Sequence, residues 1–154
     1  MATQLKDFAT SVVAVVEPET TALVVAQLMR RHHIGALVVV EAGEESKPVG
    51  IVTDRDLVLE LMAESLDPAV FTAGDIMTVD LVVASPDMDA MDAIELMKTH
   101  RLRRLVMVDE AGRLVGIVTM EDVLELLTRE LAHLAAGLAG ARDREIDERS
   151  EDKG

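Results

Sequence analysis

The sequence predicts an α+β fold of two β-α-β-β-α units, packed against each other about a pseudo-twofold axis. Three observations carry this expectation. First, Gly50-Ile51-Val52-Thr53-Asp54-Arg55-Asp56 returns as Gly116-Ile117-Val118-Thr119-Met120-Glu121-Asp122. Second, Asp7, Thr10, Val15, Pro18, Ala22, Leu28, Met29 and His32 recur in order as Asp75, Thr78, Val83, Pro86, Ala90, Leu96, Met97 and His100, at an offset of 68 residues that closes to 66 across a shorter loop. Third, short β-branched runs alternate with stretches whose apolar residues fall at helical spacing. A unit of roughly 60–65 residues is marginal alone, so each twin is expected to bury the other's open sheet face. Two copies of so long a period do not make a solenoid. Surfaces between related halves are natural ligand sites, and the seam is where function is sought.

Each element follows from local chemistry. Residues 12–16, Val-Val-Ala-Val-Val, read as a buried strand that stops at Glu17-Pro18. Ala22, Val25, Ala26 and Met29 mark a helix ending near Arg30-Arg31-His32-His33. Residues 34–40 and 49–52 are strands in hairpin relation across the charged loop 41–48. Asp56 opens a second helix that runs to Ala63. In the second unit, 81–84 is a strand, and Ala90, Ala93, Ile94 and Met97 mark a helix. Strands 105–108 and 114–118 are joined by the turn Asp109-Glu110-Ala111-Gly112-Arg113. A helix over 121–134 is longer than its twin. The expected boundaries are 7–66 for the first repeat and 75–134 for the second, with 135–154 a helical extension or a disordered acidic tail.

Composition narrows the function classes. The net charge of −14 repels duplex nucleic acid and anionic membranes over most of the surface. An anionic ligand therefore needs local cations or helix N-termini. The chain has no Cys, which removes disulfides, thiol nucleophiles and cysteine metal sites. No apolar run reaches the roughly 18–20 residues of a membrane span. The first residues do not form a signal peptide, and a cytoplasmic location is expected. Phosphate-loop, dinucleotide, nucleophile-elbow and metal signatures are missing. No catalytic residue and no cofactor are expected, and the chain is not read as an enzyme.

The motifs together resemble the cystathionine-β-synthase-type (CBS) domain pair, also called a Bateman module. The resemblance rests on Gly-hydrophobic-x-Thr-x-x-Asp in both copies, on the lead-in Ile76-Met77-Thr78 with its degenerate twin Phe8-Ala9-Thr10, and on the stretch from Leu102 to Asp109. Val106 and Met107 stand there in place of a commoner Pro-Val pairing. It covers roughly residues 7–134.

The site residues are read beside that resemblance. Thr53 with Asp56, and Thr119 with Asp122, sit where a strand end becomes a helix start. Unpaired backbone N–H groups and the helix dipole favour an anion there. An ionised Asp suits the vicinal hydroxyls of a ribose. The same spacing is also a capping box, which needs no ligand. The resemblance implies contacts from these positions to the ribose and phosphate of an adenine nucleotide. It also implies phosphate contacts from Arg103 and Arg104, which replace Gly35 and Ala36 of the first unit, and guanidinium groups suit that task. The main cleft is then Arg103, Arg104, Thr119 and Asp122, with Thr10, Ile34 and Gly35 walling the base. The alternative for the arginines is a solvated strand end paired with Asp109 or Glu110. A second, weaker cleft would use Thr53, Asp56, Thr78 and Leu102, where Asp54 disfavours phosphate.

Other features carry bland expectations. His32, His33 and His100 read as helix C-terminal residues rather than a metal site. Met29, Met62, Met91 and Met97 read as core filling. The stripe from Ala132 to Leu138 serves dimerisation or covers its own core. The function expected is a stand-alone regulatory sensor for an adenine-containing nucleotide of the AMP, ADP or ATP class, or a related adenosyl ligand. The alternative is a structural or interaction module without nucleotide. The resemblance implies a homodimer. The regulated partner protein is not legible, and no nucleic-acid or membrane partner is expected.

Overall fold

β-Branched residues crowd every strand, and the strands pair as the duplicated pattern requires. The computed structural model describes residues 3–11, 13–43 and 45–153. The first unit holds β1 (Val15–Val16), α1 (Ala22–His32), β2 (Ala36–Val40), β3 (Pro48–Thr53) and α2 (Asp54–Asp56), which continues as a wider π-helical stretch, Leu57–Met62. The second holds α3 (Ala73–Ile76), β4 (Val83–Ala84), α4 (Ala90–His100), β5 (Arg104–Val108), β6 (Leu114–Thr119) and α5 (Met120–Glu151). The two sheets are β1-β2-β3 and β4-β5-β6, each with one parallel and one antiparallel pairing. The register sets Ala36 opposite Thr53 and Arg104 opposite Thr119.

The helices start and stop on identifiable chemistry. Thr21 Oγ1 accepts the Val24 N–H at 3.3 Å and opens α1. His33 ends it in the left-handed region (φ 53°), its N–H donating to the Met29 carbonyl. In the twin helix α4 that place is taken by Arg101 (φ 55°), and His100 is the last helical residue. α5 runs unbroken to Glu151, so the segment after 134 is a helical extension.

The core shows how the halves interlock. Val16, Val25, Met29, Leu37, Val39 and Val52 of the first unit pack with Ala73, Ile76 and Met77, which precede β4. Reciprocally, Leu5, Phe8 and Ala9 pack among Met97, Leu105, Met107, Val118 and Val123. Each lead-in therefore crosses to the other repeat's core. Each also extends the other repeat's sheet. Thr10 exchanges backbone hydrogen bonds with Ile117 at 3.1 and 3.0 Å, and Thr78 with Ile51 at 3.0 and 3.1 Å. A third cluster, around Val38, Val40 and Val106, lies between the two sheets.

This crossing explains the motif glycines. A Cβ on Gly116 would stand 2.7 Å from the Thr10 carbonyl oxygen, and one on Gly50 would stand 2.7 Å from Met77 Cγ. Only glycine lets the crossing chain lie that close.

Some sequence expectations change. β1 is shorter than residues 12–16, and Val12 lies outside the described residues. Met29 and Met97 are buried, but Met62 is 74% and Met91 61% exposed. Those two side chains do not fill the core, because Met62 closes the π-helical stretch and Met91 lies in the first turn of α4, both on outer faces. Among the described residues, no helix is long and apolar enough to cross a membrane.

Candidate functional site

The hairpin register of β5 and β6 builds the site. Arg104 begins β5 opposite Thr119, the last residue of β6. The exchanged Thr10 runs beside Ile117 on the free edge of β6. Across the seam, Ile34, Gly35 and Ala36 lead into β2. These residues, with Val13 and Ala14, line a cavity of about 250 Å³ between the two units. Five predicted residues thus come together: Thr10, Ile34, Gly35, Arg104 and Thr119.

Thr119 and Asp122 hold the helix start. The Asp122 carboxylate accepts the Thr119 N–H at 2.9 Å, and Thr119 Oγ1 accepts the Asp122 N–H at 3.1 Å. Thr53 and Asp56 repeat this at 2.8 and 3.2 Å. Both pairs are therefore complete capping boxes. Among the described residues, only Oδ2 of Asp122 is engaged by protein. Its second oxygen stays available at the mouth of the helix.

Arg103 and Arg104 part company. Arg103 lies at the bend that precedes β5, and Arg104 is the first strand residue. Arg104 faces the cavity, while Arg103 is outside the lining and donates through Nη2 to Glu121. Neither arginine pairs with Asp109, whose carboxylate accepts from Arg113 Nε at 2.9 Å. The Glu121 carboxyl is held below its usual range. The main cause is a hydrogen bond from its own backbone N–H at the helix start, with Arg103 and then Arg104 adding positive charge against partial burial. Glu121 was not singled out by motif reading, although its place one residue before Asp122 in the repeated segment was visible.

The residues of the weaker cleft occupy the related positions. Thr78 lies against Ile51, two residues from Thr53, as Thr10 lies against Ile117. Leu102 is drawn onto the second unit's core. Gly35 is small for a local reason, since a Cβ there would stand 3.1 Å from Asp54 Oδ2. Val13, Ala14, Ala36 and Ile117 complete the main cavity without having been predicted as its walls. They are ordinary apolar strand residues, and only the seam reveals their role. The histidines gather no site, and among the described residues no three His, Cys, Asp or Glu side chains converge as metal ligands.

A larger, apolar cavity of about 460 Å³ opens on the outer helical face of the first unit, lined by Leu23, Leu57, Leu61, Met62 and Leu66 among others. Its lining offers no convergent charged groups, so it does not match the predicted chemistry.

Two β-α-β-β-α units with exchanged lead-ins and a cleft at their seam define a paired-repeat module. The CBS domain family profile matches residues 5–63 and 73–129, and the chain belongs to that family. Among its relatives, the CBS domain-containing protein YhcV of Bacillus subtilis is 38% identical over 135 residues, which cover 88% of this chain and 91% of YhcV. The Methanopyrus kandleri protein MK0525 is 40% identical over 109 residues, covering 71% of this chain and 55% of that longer protein. Among solved structures, the CBS domain pair of protein MJ0100 in complex with 5′-methylthioadenosine and S-adenosyl-L-methionine superposes with a TM-score of 0.76 at 25% identity, covering 84% of this chain and 99% of that one.

Proposed function

We propose that this chain is a regulatory sensor that binds an adenine-containing ligand in the cleft between its repeats. One observation carries the reading: Thr10, Ile34, Gly35, Arg104 and Thr119 converge on one cavity at the seam. Its volume is near the lower edge of small-molecule pockets, so base and ribose enter and the remainder of the ligand extends outward. The base lies against Ile34, Gly35 and Thr10. The ribose hydroxyls meet the free Asp122 oxygen. Arg104 faces the phosphate or carboxylate group, and Arg103 exchanges Glu121 for it when the tail is anionic. The MJ0100 pair, solved with two adenosyl ligands, supports an adenosyl compound as the class. AMP, ADP and ATP are the nucleotides proposed, in a cytoplasmic homodimer whose repeats, 7–66 and 75–134, report the bound state by shifting relative to one another.

A second reading, an interaction module without nucleotide, is favoured by the apolar outer face of the first unit. The deciding experiment uses the missing Trp and Tyr. The protein absorbs little above 270 nm, so a 260 nm band after gentle purification reports a carried nucleotide, which mass spectrometry identifies after denaturation. Melting with AMP, ATP, S-adenosylmethionine and 5′-methylthioadenosine at about 100 times a micromolar dissociation constant should show roughly 2.7 kcal/mol of stabilisation by the right one. No shift with any of the four, and no released nucleotide, would replace the sensor with the interaction module.

A further inference from the structure

α5 carries a surface that neither unit's core uses. Its 32 residues span about 48 Å. Only its first three turns approach the body: Val123 is buried, Leu126 is half-buried, Leu127 and Glu130 edge a groove with Asp89, Ala90 and Met91, and every residue from Leu127 to Lys153 is exposed. On this helix Leu124, Leu127, Leu131, Leu134 and Leu138 recur at alternating steps of three and four, exposed by 58, 43, 66, 63 and 63%. The mean step of 3.5 makes a narrow seam suited to one partner helix, not the broad face that covers a core. The twin stretch of the first unit ends at Met62 and has no such extension.

We propose that this seam pairs antiparallel with the same seam of a second copy of the chain. The proposal rests on the homodimer reading above and names its interface. Leu131 then meets Leu134 of the second copy, Leu127 meets Leu138, and Leu124 meets Ala141. The seam is complementary to itself in this register. Together the two helices would bury on the order of 1,000 Å², the area a specific interface needs.

Charge selects the direction. Residues flanking the seam face their counterparts across a helix pair. Antiparallel, Glu121, whose carboxylate also accepts from Arg103 of its own chain, stands beside Arg142 of the second copy, twice by symmetry. Parallel pairing would instead set Arg144 beside Arg149, again twice. Such pairs add little affinity but fix register and orientation. The chain's charge of −14 argues against an anionic membrane as the occupant.

Small residues point the same way. A Cβ on Gly137 or Gly140 would meet nothing within 4 Å, so the protomer's own packing gives no reason for glycine. Each weakens a helix relative to alanine. In the antiparallel pair, Gly137 stands opposite Glu130 of the second copy and leaves room for that side chain.

Sedimentation equilibrium of the full chain tests the interface, comparing wild type with Leu131→Glu/Leu134→Glu. Both leucines are exposed, so the fold should survive, and circular dichroism checks it. The expected result is a wild-type dimer whose dissociation constant rises at least about tenfold in the variant. A variant that dimerises as tightly as wild type overturns the seam and leaves the homodimer reading standing. A monomeric wild type overturns both. Direction is read from cysteine variants of this Cys-free chain. Leu124→Cys/Ala141→Cys should cross-link as an oxidised dimer, and Leu124→Cys alone should not. Cross-linking by Leu124→Cys alone would overturn the antiparallel arrangement.

Discussion

Thr119 and Asp122 share one cap, and only Thr119 also faces the seam. Their reciprocal bonds close the first turn of α5, and Thr119 lines the seam cavity, while Asp122 lies three residues on, outside its lining. Thr53 and Asp56 form the same cap without a cavity-facing arginine, because Ala36 occupies the position related to Arg104. The twins therefore separate capping from binding. Asp122→Ala and Asp56→Ala should each cost about 1 kcal/mol of stability. Only Asp122→Ala should also abolish the melting shift given by an adenosyl ligand. Equal loss of the ligand shift in both variants would assign the carboxylates to structure alone. Glu121 adds a pH signature. Its carboxyl titrates below the ordinary 4.5, through its own backbone N–H and then Arg103 and Arg104. A depressed carboxylate stabilises the fold above its unfolded value, and that contribution is lost as pH falls through the folded value. Its side chain is 57% exposed, so the effect is small and screened by salt. Glu121→Gln should flatten the acid side of the melting-temperature profile below pH 4.5 at low salt; an unchanged profile would show that the pair contributes no stability.

Among the elements, the short lead-ins matter out of proportion to their length. Leu5 lies in a single 3-10 turn, Leu5–Asp7, yet its side chain is fully buried in the second unit's core. The turn is tied there by backbone bonds, Leu5 N–H to the Met88 carbonyl at 2.9 Å and Lys6 N–H to Pro86 at 2.9 Å. Removing that side chain opens a cavity in the half of the molecule most distant from it in sequence. Leu5→Ala should cost about 2–5 kcal/mol. Hydrogen exchange should speed up first in β5 and β6, not in the neighbouring β1 and β2. Faster exchange confined to β1 and β2 would mean that the crossing is not made in solution.

On the scale of the whole molecule, charge and apolar contact oppose each other. The net charge is −14, and the ion pairs among the described residues are largely exposed, so they offset little of the repulsion. Raising salt from about 10 to 150 mM shortens the screening length from roughly 30 to 8 Å. The melting temperature should rise by several degrees, as scanning calorimetry would read. A fall would show that the exposed pairs outweigh the net repulsion. Holding the charged halves together is the task of the sheet-to-sheet cluster around Val38, Val40 and Val106, and of the exchanged lead-ins.

The sequence by itself determined the duplication, the order of the main strands and helices, the Thr-x-x-Asp spacing at both helix starts and the fold class. These depend on residues near one another in the chain, where periodicity and spacing act directly. The family resemblance implied that Arg104 and Thr119 share a cleft, and the hairpin register sets the two opposite each other. Tertiary structure alone decided the rest. Periodicity marks which face of an element is apolar, but not what covers it. Hence Met62 and Met91 read as core residues yet lie open, and the lead-ins 7–10 and 75–78 read as parts of their own repeats yet pack on the other's. The division between Arg103 and Arg104 has the same origin: two adjacent cations look alike in sequence, and only the strand's orientation toward the seam turns one into the cavity and the other onto Glu121.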